Sequence, residues 1–168
     1  EIDVKEKRNK YIEEIHAIEN EIRVITHDLR TEEMDPHFDY KGLLFNCVQQ
    51  ANEMCATHFD LESDTTIDWE LVSGLIKITI YRIIQESVSN VCKYADATKC
   101  EVIISLQENQ TILLSIHDNG KGFDKDGLVN QGIGLKNMKE RAEKVKSNLL
   151  INSQLGKGTY IQCSFKIA

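Results

Sequence analysis

The chain contains no run of ~18 apolar residues, the least that a membrane-spanning helix needs. A secretory signal peptide is not expected either. Positive charge is in deficit: 20 Lys and Arg stand against 27 Asp and Glu, a net charge of −7. The one basic cluster, Lys5, Lys7, Arg8 and Lys10, is interrupted by an acidic residue. No basic stripe exists, so nucleic acid is not an expected partner. The five cysteines (Cys47, Cys55, Cys92, Cys100, Cys163) include no Cys-x-x-Cys pair, and four of them sit in apolar patterns. Buried free thiols in a reducing compartment are the expectation. No Gly-x-x-x-x-Gly-Lys-Ser/Thr occurs, which excludes a P-loop. Internal repeats and low-complexity segments are absent. The 168 residues suffice for one domain with a sizeable core, or for an accessory element plus one domain.

Helical periodicity dominates the first third. Ile15, Ile22 and Leu29 fall at heptad position a, and Val4, Tyr11, Ile18 and Ile25 at d. So narrow a seam on a charged helix asks for a partner helix, most simply from a second copy of the chain. The single proline, in Asp35-Pro36, ends this helix by pushing its neighbour out of the α region. Asp39 is then the expected N-cap of a second helix, with Leu43, Leu44, Cys47, Val48, Ala51, Met54 and Cys55 at helical spacing. Two such hairpins make a four-helix bundle, so residues 1–58 are expected to be a dimerising helical hairpin. The chain opens on Glu1 with the helical pattern already running, as expected of a piece of a longer protein.

After Phe59 the pattern changes. Thr65, Thr66, Ile67 and Trp69 favour a short strand. A core-packed helix is expected from about Ser73 to Ala95, with Ile76, Ile80, Ile83, Ile84, Val88 and Val91 on one face. Arg82, Glu86, Asn90 and Lys93 form a polar line along it, able to coordinate a cation, hold phosphate oxygens and orient water. Two alternating runs, Val102-Ile104-Leu106 and Ile112-Leu114-Ile116, predict a hairpin. A helix over 135–145 and two strands around the turn 154–158 follow. Residues 59–168 are therefore expected to form an α+β domain, a sandwich of helices on a mixed, mainly antiparallel sheet.

Three glycine-bearing stretches punctuate this domain. Asp118-Asn119-Gly120-Lys121-Gly122 follows a strand, and its carboxylate can accept from an amino group while the chain bends round a flat ligand. Gly132-Ile133-Gly134-Leu135 opens a helix, where backbone N–H groups approach anions. It lacks the third glycine and the parallel βαβ surroundings of a Rossmann fingerprint. Gly156-Lys157-Gly158-Thr159 is a tight turn. Each alone reads as a turn or a solvated face.

Taken in order, Glu86-x-x-x-Asn90-x-x-Lys93-Tyr94-Ala95, Asp118-x-Gly120-x-Gly122, Gly132-x-Gly134-Leu135 and Gly156-x-Gly158-Thr159 resemble the N, G1, G2 and G3 boxes of the GHKL (Bergerat-type) ATP-binding fold. Sensor histidine kinases, gyrase, Hsp90 and MutL share that fold. The wording of residues 81–86 and 134–142 is most similar to histidine kinases that pair with LuxR-type response regulators. The resemblance implies ATP and Mg²⁺ as cofactors. It gives Asp118 the adenine amino group, Asn90 the Mg²⁺ ion, Glu86 a place at the metal or its water, and Lys93 the phosphates. Tyr94 stands where the family often has His, Gly120 and Gly122 shape the adenine pocket, and Thr159 lies near Asp118. Residues 123–133 become a lid hinged at Gly132 and Gly134, ahead of Leu135.

The same resemblance marks His27-Asp28 as a phospho-acceptor pair, with Asp28 orienting the His27 imidazole for attack. The heptad places His27 at f, facing away from the seam. Glu32 stands where the family pattern has Gln, and an ionised carboxylate cannot donate as an amide does, which leaves phosphatase activity open. The implied function is the cytoplasmic core of a sensor histidine kinase, a homodimer that passes phosphate from its histidine to an Asp in a response-regulator receiver domain. Membrane attachment is expected only through an upstream segment. The alternatives within the fold are an anti-sigma-type serine kinase and an ATP-binding scaffold without phosphotransfer.

Overall fold

The two alternating runs are neighbours at the centre of a five-stranded sheet in the computed structural model. The structure describes residues 39–124 and 133–167 and, nearer the N-terminus, Tyr11, Ile12, Ile15, Ile18, Glu19 and Ile22. It divides into two compact units, Glu1–Phe38 and Asp39–Ala168. In the first, the six described residues are helical and exposed. The readings placed on Val4, Ile25, His27, Asp28, Leu29, Glu32, Asp35-Pro36 and Gly132 lie outside the described residues.

In the second unit the elements run α1 (Tyr40–Met54), β1 (His58–Ser63), a 3-10 turn (Trp69–Leu71), α2 (Gly74–Asn90), a π-helical turn (Val91–Ala95), β2 (Lys99–Gln107), β3 (Thr111–Asp118), α3 (Ile133–Lys144), β4 (Leu149–Gln154) and β5 (Gly158–Lys166). The strand order is β1-β2-β3-β5-β4. Only β1 and β2 are parallel; the other pairs are antiparallel. One sheet face is the core, as the alternation requires. Cys100, Val102 and Ile104 from β2, Ile112, Leu114 and Ile116 from β3, and Ile161, Cys163 and Phe165 from β5 are all buried. Against them α2 lays Ile80, Ile83 and Ile84, which are fully buried. Side chains of this size each contribute on the order of 1.5–3 kcal/mol when removed from water.

Three features differ from the expectation. The helix 40–54, expected as the second arm of an N-terminal hairpin, falls in the compact unit Asp39–Ala168 that carries the sheet. Its apolar stripe, Tyr40, Leu44, Val48 and Ala51, is buried within that unit. The Tyr40 hydroxyl donates to the Lys77 carbonyl on α2 at 2.6 Å, and the Tyr40 ring lies 4.6 Å from that of Trp69. The Asn52 side chain meets the outer edge of β1 like a short strand, accepting from Phe59 N (2.7 Å) and donating to Phe59 O (3.0 Å). Helical periodicity reports an apolar stripe but not its partner. The Asp39 cap is as read: its carboxylate accepts from Gly42 N at 2.9 Å.

The strand expected around residues 65–69 lies earlier, at His58–Ser63. Asp64 ends it by accepting from both Thr66 N (2.8 Å) and Thr66 Oγ1 (2.6 Å), a local turn that competes with the ladder. Those bonds, the hydroxyl's first, hold the Asp64 carboxyl below its usual range. Finally, Cys55 and Cys92 are joined by a disulfide, with Cα atoms 5.6 Å apart, and are not the free thiols expected. Cys47, Cys100 and Cys163 are free.

Candidate functional site

A cavity of about 540 Å³ opens between α2, the loop after β3 and the start of α3. Its lining includes Glu86, Asn90, Tyr94, Asp118, Gly122, Gly134, Leu135 and Thr159, all read from the sequence as site residues. They come from α2, the π-helical turn, β3 and the loop after it, α3 and β5, which the fold brings round one cavity.

Asp118 ends β3 at the cavity floor and is only 4% exposed. One carboxylate oxygen accepts from Gly120 N at 2.8 Å. No other hydrogen bond to this carboxylate is made among the described residues, so an acceptor remains for a ligand. Directly across the ladders, Asp118 pairs with Cys100 on one side and Thr159 on the other. Burial, followed by the charges of Asp118 and Glu101, pushes the Cys100 thiol up to about 12, which keeps it inert beside the site.

The loop after Asp118 is held from both sides. Lys121 N donates to Ala95 O and Gly156 N to Lys121 O, each at 2.7 Å. Gly122 adopts φ +60°, a left-handed conformation that favours glycine. Phe123 N donates to Ser153 Oγ at 2.9 Å. The loop's position is thus set by backbone groups of the π-helical turn and of the 154–158 turn.

On the opposite wall Asn90 Nδ2 donates to Glu86 Oε1 at 3.2 Å. That bond uses the amide nitrogen and leaves the Asn90 side-chain oxygen, a hard ligand, without a hydrogen-bond partner among the described residues. Among the described residues no group of three or more His, Cys, Asp or Glu is placed to hold a metal ion. A divalent cation here would have to complete its shell with ligand oxygens and water, the habit of Mg²⁺ in nucleotide sites. The donor set therefore fits Mg²⁺ only together with phosphates. Gly134, in the first turn of α3, presses against the Glu86 carboxylate, which occupies the space of a side chain there.

Lys93 is not brought to the wall. It is exposed and its Nζ donates to Ser89 Oγ at 2.7 Å. The turn Val91–Ala95 is π-helical, so residues beyond Asn90 are rotated from the register that the helical spacing projects. Sequence reading missed Ser87, Val91, Ala95, Ile116, Lys121, Phe123, Ile133 and Ile161, which also line the cavity. It missed Ser153 as well, which carries no motif of its own; an alternating strand position facing Thr159 was the only available signal.

The family described as histidine kinase-, DNA gyrase B-, and HSP90-like ATPase matches residues 76–168, which contain most of this cavity. The sensor histidine kinase LiaS of Bacillus subtilis is 30% identical over 175 residues, covering 98% of this chain and 46% of that protein. The sensor protein VraS of Staphylococcus epidermidis is 41% identical over 95 residues, covering 56% of this chain and 27% of its own length. The chain thus spans less than half of either relative. Among solved structures, the histidine kinase domain from the Erythrobacter litoralis EL346 blue-light activated histidine kinase has the same fold, with a TM-score of 0.72 at 14% identity over 91% of this chain and 72% of that one. Acinetobacter baumannii histidine kinase AdeS superposes with a TM-score of 0.60 at 16% identity, over 91% of this chain and 76% of that one. With the matched residues, the mixed sheet and the cavity in agreement, the chain belongs to the histidine kinase-, DNA gyrase B-, and HSP90-like ATPase family.

Proposed function

We propose that this chain is the ATP-binding part of a sensor histidine kinase, which transfers the γ-phosphoryl group of Mg-ATP to a histidine and from there to an aspartate of a response regulator. The observation that carries the reading is the pairing of two different walls in one cavity. A buried acceptor, Asp118, stands at the floor, and an oxygen-rich pair, Glu86 and Asn90, stands beside the start of α3. The first suits a purine amino group and the second a metal-bound triphosphate. Mg²⁺, when bound, would supply charge neutralisation between the phosphates. Asn90 would hold it through its side-chain oxygen, and Glu86, which accepts from the Asn90 amide, would position that ligand and a water. Phosphoryl transfer asks for little more than such positioning.

His27 is the acceptor candidate that this chain offers, with Asp28 as its orienting carboxylate. Its support is the adjacent acid and the outward heptad position; a hairpin with residues 40–54 no longer adds to it, because that helix is buried in the nucleotide-binding unit. Dimerisation through the N-terminal seam belongs to the same reading, as does any membrane attachment of the longer protein. No helix among the described residues is long and apolar enough to cross a membrane.

The test is incubation with ATP labelled at the γ-phosphate, followed by acid and alkali treatment of the protein. Label that is lost in acid and kept in alkali identifies phosphohistidine. Stable label in acid would favour a serine kinase. Tight ATP binding without any label, in this chain and in a longer one, would favour a scaffold.

A further inference from the structure

Thr159 stands between Asp118 on β3 and Ser153 on β4, each its direct partner in an antiparallel ladder. Ser153 Oγ lies within hydrogen-bond distance of three groups: Phe123 N at 2.9 Å, Gly158 O at 3.0 Å and Thr159 Oγ1 at 3.1 Å. A hydroxyl has one donor and two acceptor sites. The Phe123 amide can only donate, so it takes one acceptor site. The Gly158 carbonyl can only accept, so it takes the single proton of Ser153. What remains on Ser153 is an acceptor, and Thr159 meets it only by donating. One arrangement satisfies all three contacts, and it turns the Thr159 proton towards Ser153, leaving Thr159 only lone pairs to offer a ligand. The ionised carboxylate of Asp118 is likewise acceptor-only.

We propose that Ser153 sets the hydrogen-bond polarity of the cavity floor, making Thr159 an acceptor, and so selects a purine with an amino group at C6 over one with an oxo group. The inference rests on the reading of this cavity as a purine-nucleotide site. A 6-amino purine presents N–H donors to an all-acceptor floor. At C6 a 6-oxo purine presents carbonyl lone pairs to the same floor, and there neither side can donate; its N1–H donor sits one ring atom away. Ser153 is a positioning residue, since it acts through Thr159 and holds the Phe123 amide.

The experiment is calorimetric titration of the chain with ATP and with inosine triphosphate, which carries the oxo group at C6. The wild type is expected to prefer ATP. Ser153→Ala frees the Thr159 hydroxyl to turn and donate, and the ratio of the two dissociation constants should fall roughly 3- to 10-fold, about the worth of one neutral hydrogen bond. Ser153→Thr should restore it. A purely structural serine would weaken both nucleotides alike, and an unchanged ratio overturns the proposal while leaving ATP binding in place. Thr159→Val provides the independent arm, with Ser153 untouched. It should weaken ATP more than inosine triphosphate, and the opposite order would mean that Thr159 donates, which also overturns the proposal. A wild-type chain that binds neither nucleotide removes the nucleotide reading and this inference with it.

Discussion

The carboxylate of Glu86 and the backbone of Gly134 touch across the cavity, with Glu86 Oε1 where a Cβ of residue 134 would stand. They are far apart in the chain, yet this contact joins the C-terminal part of α2 to the first turn of α3. It also faces Asn90, because the same Oε1 accepts from the Asn90 amide. The contact therefore ties the helix after the 125–132 segment to the residues proposed to hold metal and phosphate.

Gly134→Ala should accordingly leave the fold intact, since the atom it meets is the far end of a flexible side chain, but it should displace Glu86. A misplacement of this kind costs catalysis about 10²-fold, so phosphotransfer should drop by that order while the melting temperature hardly moves. Circular dichroism melting and label incorporation check the two halves separately; a wild-type rate in this variant would mean that Glu86 has no part in positioning.

Asp118→Asn should weaken ATP binding by roughly 10- to 100-fold, the range expected when a buried hydrogen-bonding group loses its partner. An amide presents a donor to the purine amino group where an acceptor is needed. Asn90→Ala should instead preserve Mg²⁺-independent binding and abolish the gain in affinity on adding Mg²⁺. Titrations with and without Mg²⁺ distinguish the two, and identical behaviour of both variants would contradict the division of the cavity into a base wall and a phosphate wall.

His27→Gln should abolish acid-labile labelling without altering ATP affinity. Asp28→Asn should slow labelling by ~10²–10⁴-fold, the usual worth of a positioned general base. Mass spectrometry at neutral pH locates the phosphate. Label retained in His27→Gln, or mapped to another histidine, would assign the acceptor elsewhere.

Under denaturing, non-reducing conditions three thiols per chain should react with an alkylating agent, and all five after reduction. In the native state the three should react slowly. Burial pushes Cys47 and Cys163 up to about 12, and burial with nearby carboxylates does the same to Cys100, so little thiolate exists at neutral pH. Five fast-reacting thiols in the native protein would refute both the bridge and the burial.

Ile15, Ile18 and Ile22 are exposed, at the spacing of a heptad seam. Ile18→Lys with Ile25→Lys should convert a dimer to monomers, because unpaired charge at a packed seam is costly. Analytical ultracentrifugation measures it, and a wild-type chain that sediments as a monomer at high concentration would count against the dimer.

The site was legible wherever one residue type is chemically required. Asp118 at a strand end, Gly122 at positive φ and Gly134 against a carboxylate each leave a residue-level mark. Lys93 falls outside the cavity lining because helical spacing assumes an unbroken α-helix, and the turn that carries it is π-helical. Ser153 was overlooked because serine suits any half-buried strand position, and its role arises from three partners distant along the chain or across a ladder.

By itself the sequence determined the ATP-binding family, through four short boxes in order, and the buried face of each sheet strand, through period-two alternation. Both are local: a strand's neighbours two residues away decide which side is apolar, and a box carries its own glycines. Only the tertiary structure decided where α1 docks, that Cys55 meets Cys92, and that Ser153 meets Phe123, Gly158 and Thr159 beside Asp118. Those depend on pairings between residues far apart in the chain, where an apolar stripe, a thiol or a hydroxyl accepts many partners and the packing of the whole unit selects one.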